Sequence, residues 1–290
     1  MRNAMKNFFI ITNSYKDQGL RLTKSIQDYI ETKGGSCGYL VSRGEEQPDG
    51  YVRPEQLPEQ LDLIFVVGGD GTLIRAARDT ASRNVPLIGV NLGTLGYLCE
   101  LEEATVYGAI DQIMDDQFVL EARMRLCGIP VQGGKELPQQ AALNDIVIHR
   151  SGALQLVSLV VYVNGQYLNT FDGDGVIVST PTGSTGYNLS AGGPIVDPKA
   201  RMILITPINS HTLNSKSIVI GAEDEVVVEI GARRCEADEQ VVVSFDGDHY
   251  AKLDVGDRIV ICQAKEDCRI LKLGKLSFLE ILRKKMQSYH

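Results

Sequence analysis

The residues best suited to chemistry stand in one short turn, Gly68-Gly69-Asp70-Gly71-Thr72. The apolar run Leu63-Ile64-Phe65-Val66-Val67 leads in and Leu73-Ile74-Arg75-Ala76-Ala77-Arg78 leads out, which reads as strand, tight turn and helix. The first amides of a helix lack intrahelical acceptors and its dipole favours anions. Glycines at 68, 69 and 71 would therefore let backbone N–H groups approach phosphate oxygens that side chains would block. Asp70 repels such a ligand unless it takes a proton from it, shares a cation with it or bonds a hydroxyl. Otherwise it merely caps the helix, and the turn alone leaves both readings open.

A longer stretch of the same kind starts at Asp174-Gly175-Val176-Ile177-Val178 and runs through Ser179-Thr180-Pro181-Thr182-Gly183-Ser184-Thr185-Gly186-Tyr187 to Gly192-Gly193-Pro194. About fifteen residues rich in Gly, Ser, Thr and Asn exceed what a link between strands needs. Their hydroxyls and amides suit a heterocycle, a ribose or a phosphate, and Tyr187 is available to stack on a ring. The alternative is a serine-rich turn into a short helix capped by Ser184 or Thr185; the length favours a ligand. Asn144-Asp145 would interrupt an apolar strand, or form an exposed pair in a bulge. Asp246-Gly247 reads as hairpin punctuation. His149, His211 and His249 have no Ser or Cys at a telling spacing, so no hydrolytic triad is legible. Neither G-x-x-x-x-G-K-[ST] nor a helix-opening G-x-G-x-x-G occurs, which excludes a P-loop NTPase and an ordinary Rossmann dehydrogenase.

The elements that must position these residues change character along the chain. In the first part, strand-like segments at 8–12, 37–41, 63–67 and 86–90 alternate with helical patterns at 19–33, from the glycine turn to about 83, and at 103–114. A polar connector spans 43–60. This alternation predicts a doubly wound parallel α/β sheet whose ligand crevice lies beyond the carboxyl ends of the strands. The glycine turn sits at such an end. So does Asn91-Leu92-Gly93-Thr94-Leu95-Gly96-Tyr97-Leu98, which reads as a plain turn or as lining of the same crevice. From Phe118 onward, short β-rich runs with Gly and Asp turns predict a sandwich-like antiparallel domain. An amphipathic helix at 276–286 has too little surface to fold alone and is expected to return to the first domain.

The 290-residue chain is long enough for two domains with proper cores, and 43% hydrophobic with 23% charged residues is ordinary globular composition. A formal charge of -8 with no Lys/Arg block argues against a nucleic-acid or anionic-membrane binder. Cys37, Cys99, Cys127, Cys235, Cys262 and Cys268 form no C-x-x-C pair, so neither a zinc site nor a disulfide framework is expected. The N-terminus offers no signal or spanning segment, and cytoplasm is the expected compartment.

With those stretches in order, the chain resembles the NAD kinase family in its bacterial form. The resemblance rests on the Gly68 to Thr72 turn followed by Leu73 and Arg75, on Asn91 to Leu98, and on Asn144-Asp145. It continues through Asp174-Gly175 and residues 180–187 to Gly192-Gly193-Pro194, then Ile205-Thr206-Pro207-Ile208 with His211, Leu213 and Asn214, Asp246-Gly247, and the C-terminal 278–285 stretch. The first motif is shared with diacylglycerol, sphingosine and phosphofructokinase relatives, whereas 180–187 is specific to NAD kinases. The resemblance implies an α/β domain formed by 1–117 with 272–290 and a β-rich dinucleotide-binding domain at 118–271. It implies transfer of a phosphoryl group from ATP, in some members polyphosphate, to the adenosine-ribose 2′-hydroxyl of NAD. A divalent metal such as Mg2+ and assembly as a homodimer or homotetramer come with it. By that analogy Asp70 is the base, and Gly68, Gly69, Gly71, Thr72 and Arg75 serve the donor phosphates. Asn144, Asp145, Thr182, Thr185, Gly186 and Tyr187 meet adenine and its ribose, Asp174 the nicotinamide amide, Asn214 the phosphates, and Asp246 belongs to the same binding set. Asp145 stands where Glu is usual, which draws the carboxylate back by roughly an ångström. Gly186 stands where Ala is common, and Asn209-Ser210 precedes His211 where Cys-Pro is expected. The alternatives are a lipid or small-molecule kinase of the same superfamily, and a non-catalytic dinucleotide-binding sensor.

Overall fold

The computed structural model describes residues 5–42, 52–93, 96–151, 156–211, 216–232, 240–274 and 277–287. Thr94, Leu95, Leu213, Asn214 and Cys235 lie outside them, as do parts of the expected connector at 43–60, of the β-rich runs expected from Phe118 onward and of the helix expected at 276–286. The chain forms two compact units, Met1–Ala122 with Cys268–His290, and Arg123–Asp267.

The elements run β1 (Asn7–Asn13), α1 (Arg21–Thr32), β2 (Ser36–Ser42), β3 (Leu63–Gly68), α2 (Asp70–Asp79), β4 (Leu87–Asn91), β5 (Leu101–Glu102), α3 (Val106–Met114) and β6 (Val119–Arg123). Next come β7 (Leu126–Gln132), β8 (Lys135–Glu136), β9 (Gln140–Ala142), β10 (Asp145–Arg150), β11 (Val157–Val163), β12 (Gln166–Gly173), β13 (Gly175–Ser179) and the short α4 (Tyr187–Ser190). Then follow β14 (Met202–Ile208), β15 (Ile218–Gly221), β16 (Val226–Gly231), β17 (Val241–Phe245), β18 (Asp248–Leu253) and β19 (Arg258–Gln263). β20 (Cys268–Lys272) and α5 (Phe278–Gln287) close the chain in the first unit.

In the first unit the strand order is β2-β1-β3-β4-β20-β6, with β5 beside β4. β1 pairs in parallel with both β2 and β3, and β3 in parallel with β4. The chain goes from β1 to β2 on one side, then to β3 on the other, so the topological switch lies between β1 and β3. Asn13 and Gly68 end those two strands. Leu22, Ile26 and Ile30 of α1 and Val106, Ala109, Ile110 and Ile113 of α3 share a core with Phe8, Ile10, Phe65, Val67, Ile88 and Val90. The pleat turns Phe9, Ile11, Ile64 and Val66, also buried, to the other face. There α2 packs so closely that a Cβ at Gly89 would lie 2.8 Å from Leu73 Cδ1. Helices on both faces bury the strands on both sides, at ~1.5–3 kcal/mol for each fully covered aliphatic side chain. This is the doubly wound domain expected from the alternation. α2 is shorter than expected, because the Thr80 hydroxyl donates to Ala76 O at 2.7 Å and a separate 3-10 turn takes Ala81–Arg83.

The second unit holds two antiparallel sheets, β15-β14-β13-β10-β17-β18 and β12-β11-β16-β19-β7-β8, the latter with β9 on β7. Ile146, Ile148, Val176, Val178, Ile203, Ile205, Val243 and Phe245 from one share a core with Leu159, Val161, Val226, Val228, Ile259 and Ile261 from the other. This is the sandwich-like packing expected of the β-rich half. Period-2 alternation then turns Asp145, Val147 and His149 of β10, and Ser244 of β17, to the outer face of the six-stranded sheet.

Candidate active site

The glycine turn lies at the β1/β3 switch point, where doubly wound sheets take their ligands. Gly68 ends β3, Gly69 is the N-cap of α2, and Asp70 is the first helical residue. Gly68 is needed for space, since a Cβ there would come within 2.5 Å of Thr72 Oγ1. Gly71 is exposed and open on its Cβ side, and Arg75 is half-buried further along α2. Asp70 does not point to open solvent. Its Oδ2 accepts the Tyr97 N–H at 2.6 Å, and its Oδ1 accepts those of Leu98 and Cys99 at 3.2 and 3.1 Å. A Cβ at Gly96 would lie 2.0 Å from Oδ1, so glycine at 96 makes room for the carboxylate. The 91–98 stretch is thus tied to the glycine turn through Asp70. A carboxylate offers about four acceptor positions; these amides take three, and the Cys99 thiol bonds the same carboxylate. Burial first, and the Asp70 carboxylate next, push the Cys99 thiol well above its ordinary range, so it stays protonated.

In the second unit, Asn144, Asp145, Asp174, Tyr187 and Asp246 are brought together in one cavity of about 660 Å3 on the outer face of the six-stranded sheet. His149, Arg150, Asn209 and Ser244 share it. None of these four was assigned to the site from the sequence, where His149 was weighed only for a triad and Asn209 only as a departure before His211; two-residue steps from Asp145 through Val147 to His149 would have placed the histidine there. His149 Nδ1 lies 2.8 Å from Arg150 O and Nε2 3.4 Å from Ser244 Oγ. Asp174 receives Asn209 Nδ2 at 2.8 Å and faces Arg150 Nε at 2.8 Å. The Asn209 amide, and then the Arg150 guanidinium, hold its carboxyl below the ordinary carboxylate range.

Asp145 is 5% exposed, not an exposed bulge pair. Burial first, and the Asp246 carboxylate second, push it up to about 7. Asp246 and Gly247 have φ of 51° and 87°, the paired left-handed residues of a two-residue hairpin turn. Asp246 is more than punctuation: its carboxylate accepts Leu143, Asn144 and Asp145 N–H at 2.8, 2.7 and 3.1 Å. Asp246→Ala should remove about 2–3 kcal/mol of stability by stranding those amides and should free the Asn144-Asp145 backbone. Urea unfolding checks this, and a loss under about 0.5 kcal/mol would show the amides to be satisfied elsewhere.

The hydroxyl-rich segment divides into supports and open groups. Thr180 Oγ1 donates to Leu143 O at 2.6 Å, Ser179 Oγ to Asn144 O at 3.1 Å, and Ser184 Oγ to Pro181 O at 2.7 Å. Asn188 Nδ2 donates to Ser184 O and Pro194 O, and its Oδ1 accepts the Thr206 hydroxyl. No side chain caps α4; Gly186 is its N-cap, 3.6 Å from Asn144 Nδ2 at its Cβ position. Thr185 Oγ1 reaches only the Thr182 carbonyl, at 3.5 Å. Thr182 Oγ1 and Asn144 Oδ1 are buried without a partner among the described residues. A buried polar atom left unpaired costs about 1–3 kcal/mol, and of these two residues Asn144 lines the cavity, where its acceptor is poised for a ligand's donor.

No cluster of three His, Cys, Asp or Glu suited to a metal occurs among the described residues. No helix among the described residues is long and apolar enough to cross a membrane.

Residues 49–118 match the family model described as the ATP-NAD kinase N-terminal domain, and residues 143–273 match the ATP-NAD kinase C-terminal domain. The chain is 55% identical over 285 residues to an NAD kinase of Agathobacter rectalis, covering 98% of this chain and 100% of the relative. It is 40% identical to an NAD kinase of Lachnospira eligens, with 97% and 100% covered. The fold superposes on yeast NADH kinase complexed with NADH at a TM-score of 0.86, with 22% identity over 99% of this chain and 88% of that one. It superposes on an NAD kinase from Archaeoglobus fulgidus in complex with ATP at 0.76, with 24% identity over 97% and 99%. With both halves matched by their family models and more than half of its residues shared with a relative along almost its whole length, the chain belongs to the NAD kinase family.

Proposed function

We propose that the chain transfers the γ-phosphoryl group of ATP to the 2′-hydroxyl of the adenosine ribose of NAD, giving NADP and ADP. The observation that carries this reading is Asn144 Oδ1, a buried acceptor without a partner among the described residues, on a residue that lines the same cavity as Asp145. An acceptor without a donor suits the exocyclic amine of adenine, and a carboxylate suits ribose hydroxyls. Thr185, Gly186 and Tyr187 complete the adenosine side, Asp174 meets the nicotinamide amide, and Asp246 fixes the backbone on which Asn144 and Asp145 stand. Asn214 is assigned to the phosphates by family analogy.

In the first unit the amides at Gly68, Gly69, Gly71 and Thr72 hold donor phosphates, with Arg75 as a further cation on α2. The Asp70 carboxylate accepts the 2′-hydroxyl proton as the O2′–P bond forms. The bond from the γ-phosphorus to the bridging oxygen breaks, and ADP departs with that electron pair. ATP enters as its complex with a divalent cation, Mg2+ being the natural choice for phosphate oxygens. Polyphosphate as donor, homodimeric or homotetrameric assembly and a cytoplasmic location rest on the family resemblance.

Incubation of the purified chain with Mg-ATP and NAD, followed by an NADP-specific dehydrogenase assay, tests the reading. NADP that accumulates with ADP in a 1:1 ratio is the expected result. A folded chain that binds NAD and forms no NADP would leave the dinucleotide-sensor alternative in its place.

A further inference from the structure

Lys16, in the turn after β1, brings a cation to the glycine turn. The backbone that carries it is fixed on both sides. Asn13 O accepts the N–H groups of Lys16 and Asp17 at 3.0 and 2.9 Å, and Asn13 Nδ2 donates to Thr72 Oγ1 at 3.4 Å. The buried Asp17 carboxylate accepts Leu22 N, Thr23 N and Thr23 Oγ1 at 3.0, 2.8 and 2.6 Å, which locks the turn to the start of α1. From this frame Lys16 Nζ lies 2.7 Å from the point a Cβ at Gly69 would occupy and 4.0 Å from the corresponding point at Gly93. Asn91 Oδ1 is 3.8 Å from the Gly69 point.

Among the described residues Lys16 makes no ion pair. The carboxylates that share its cavity of about 510 Å3 are Asp17, Glu102 and Glu103. Asp17 is spent on α1, Glu103 is bound by Arg21 at 2.7 Å, and Glu102 is not within pairing distance of Lys16. An ammonium therefore stands against the amino end of α2, whose dipole is itself positive. Two positive fields side by side repel unless an anion lies with them. Glycine at 69 leaves the ammonium room beside the turn, 2.7 Å from where a Cβ would stand.

We propose that Lys16 is a phosphate-binding residue of the donor site, its ammonium neutralising triphosphate oxygens held by the glycine-turn amides. This rests on the kinase reading above and deepens it. A lysine offers a compact point charge that can follow the phosphoryl group as charge shifts toward the leaving oxygen, and it replaces the lysine that a P-loop would have supplied.

The test compares wild type, Lys16→Met and Lys16→Arg. The residue is exposed, so all three should share one melting temperature. Calorimetry with inorganic tripolyphosphate should show at least tenfold weaker binding to Lys16→Met and near-normal binding to Lys16→Arg. In the kinase assay KM for ATP should rise at least tenfold in Lys16→Met while KM for NAD stays within threefold. Tripolyphosphate that binds Lys16→Met as it binds wild type, or does not bind wild type at all, overturns the proposal. So does an unchanged KM for ATP. Tripolyphosphate binding that depends on Lys16 in a chain that forms no NADP would sink the kinase reading and leave the phosphate site standing.

Discussion

Asp70→Asn should lower kcat for NADP formation by ~10²–10⁴, the usual contribution of a positioned general base, with NAD affinity changed only a fewfold. The substitution has a second consequence that must be separated from the first. Asp70 holds the 97–99 backbone through three amide bonds, and an asparagine keeps only one acceptor oxygen. Its amide nitrogen would then confront a backbone N–H, donor against donor. One stranded amide costs about 1–3 kcal/mol, enough to lower the melting temperature by several degrees in a unit of this size. Turnover and stability should therefore fall together in Asp70→Asn, with the turnover loss far larger than partial unfolding at assay temperature explains.

Gly96→Ala separates the two roles from the opposite direction. It keeps the carboxylate and the proton chemistry but places a methyl 2.0 Å from Asp70 Oδ1, so the carboxylate must move. Because a displacement of about an ångström can cost ~10²-fold, this variant should approach the Asp70→Asn rate without any change of titratable group. If Asp70→Asn instead retained kcat within severalfold while its melting temperature fell, Asp70 would be a clamp for the 96–99 turn and the base would have to be sought elsewhere.

How much of this could be read from sequence depended on the range of the interaction. The strand-turn-helix around Gly68 to Thr72 is local, and its apolar run and glycines showed it. That Asp70 is tied to Tyr97, Leu98 and Cys99 is a contact between distant segments, and no spacing rule encodes it. Lys16 carries no local pattern at all: it is one charged residue in a polar turn, and its meaning depends on β1 lying beside β3. Asp246 was legible as a turn because left-handed φ at Asp-Gly is a backbone preference. Its grip on residues 143–145 was invisible because β10 and β17 become neighbours only in the folded sheet. The hydroxyl-rich segment announced itself by composition, but composition could not sort Thr180, Ser184 and Asn188, which brace the loop, from Thr182, which does not. The polar return strands β12 and β18 lack an apolar run, so their hairpin turns were easier to see than the strands themselves.

Asp145→Asn should make the free protein more stable at pH 8 and a poorer NAD binder. In the folded chain, burial and the neighbouring Asp246 push Asp145 up to about 7, from an ordinary value of 3.8. Between about pH 4 and pH 7 the folded state thus holds a proton that the unfolded state has lost, and stability falls as pH rises through that window. Above pH 7 the whole cost of ionising Asp145 is carried by the fold. Each tenfold change in proton affinity is worth ~1.4 kcal/mol, which puts that cost on the order of 4 kcal/mol. Asparagine carries no such cost and can donate to Asp246. Urea unfolding should find Asp145→Asn more stable than wild type at pH 8, with the difference shrinking toward pH 5.

Binding runs the other way, because ribose hydroxyls need an ionised acceptor and a charged hydrogen bond is worth ~1.5–3 kcal/mol. KM for NAD should fall from pH 6 to pH 8 in wild type, whereas Asp145→Asn should show a flat profile about 10- to 100-fold higher at pH 8. His149, Arg150, Asp174 and Asp246 share the cavity and remain in both proteins, so the difference between the two profiles isolates Asp145. A variant with the wild-type stability slope would mean that Asp145 is solvated and ordinary in the folded chain. A variant with unchanged NAD affinity at pH 8 would mean that the ribose hydroxyls are held by other groups. If both expected shifts occur, the cavity gives up folding stability at the residue that holds the ribose, and bound dinucleotide should restore it.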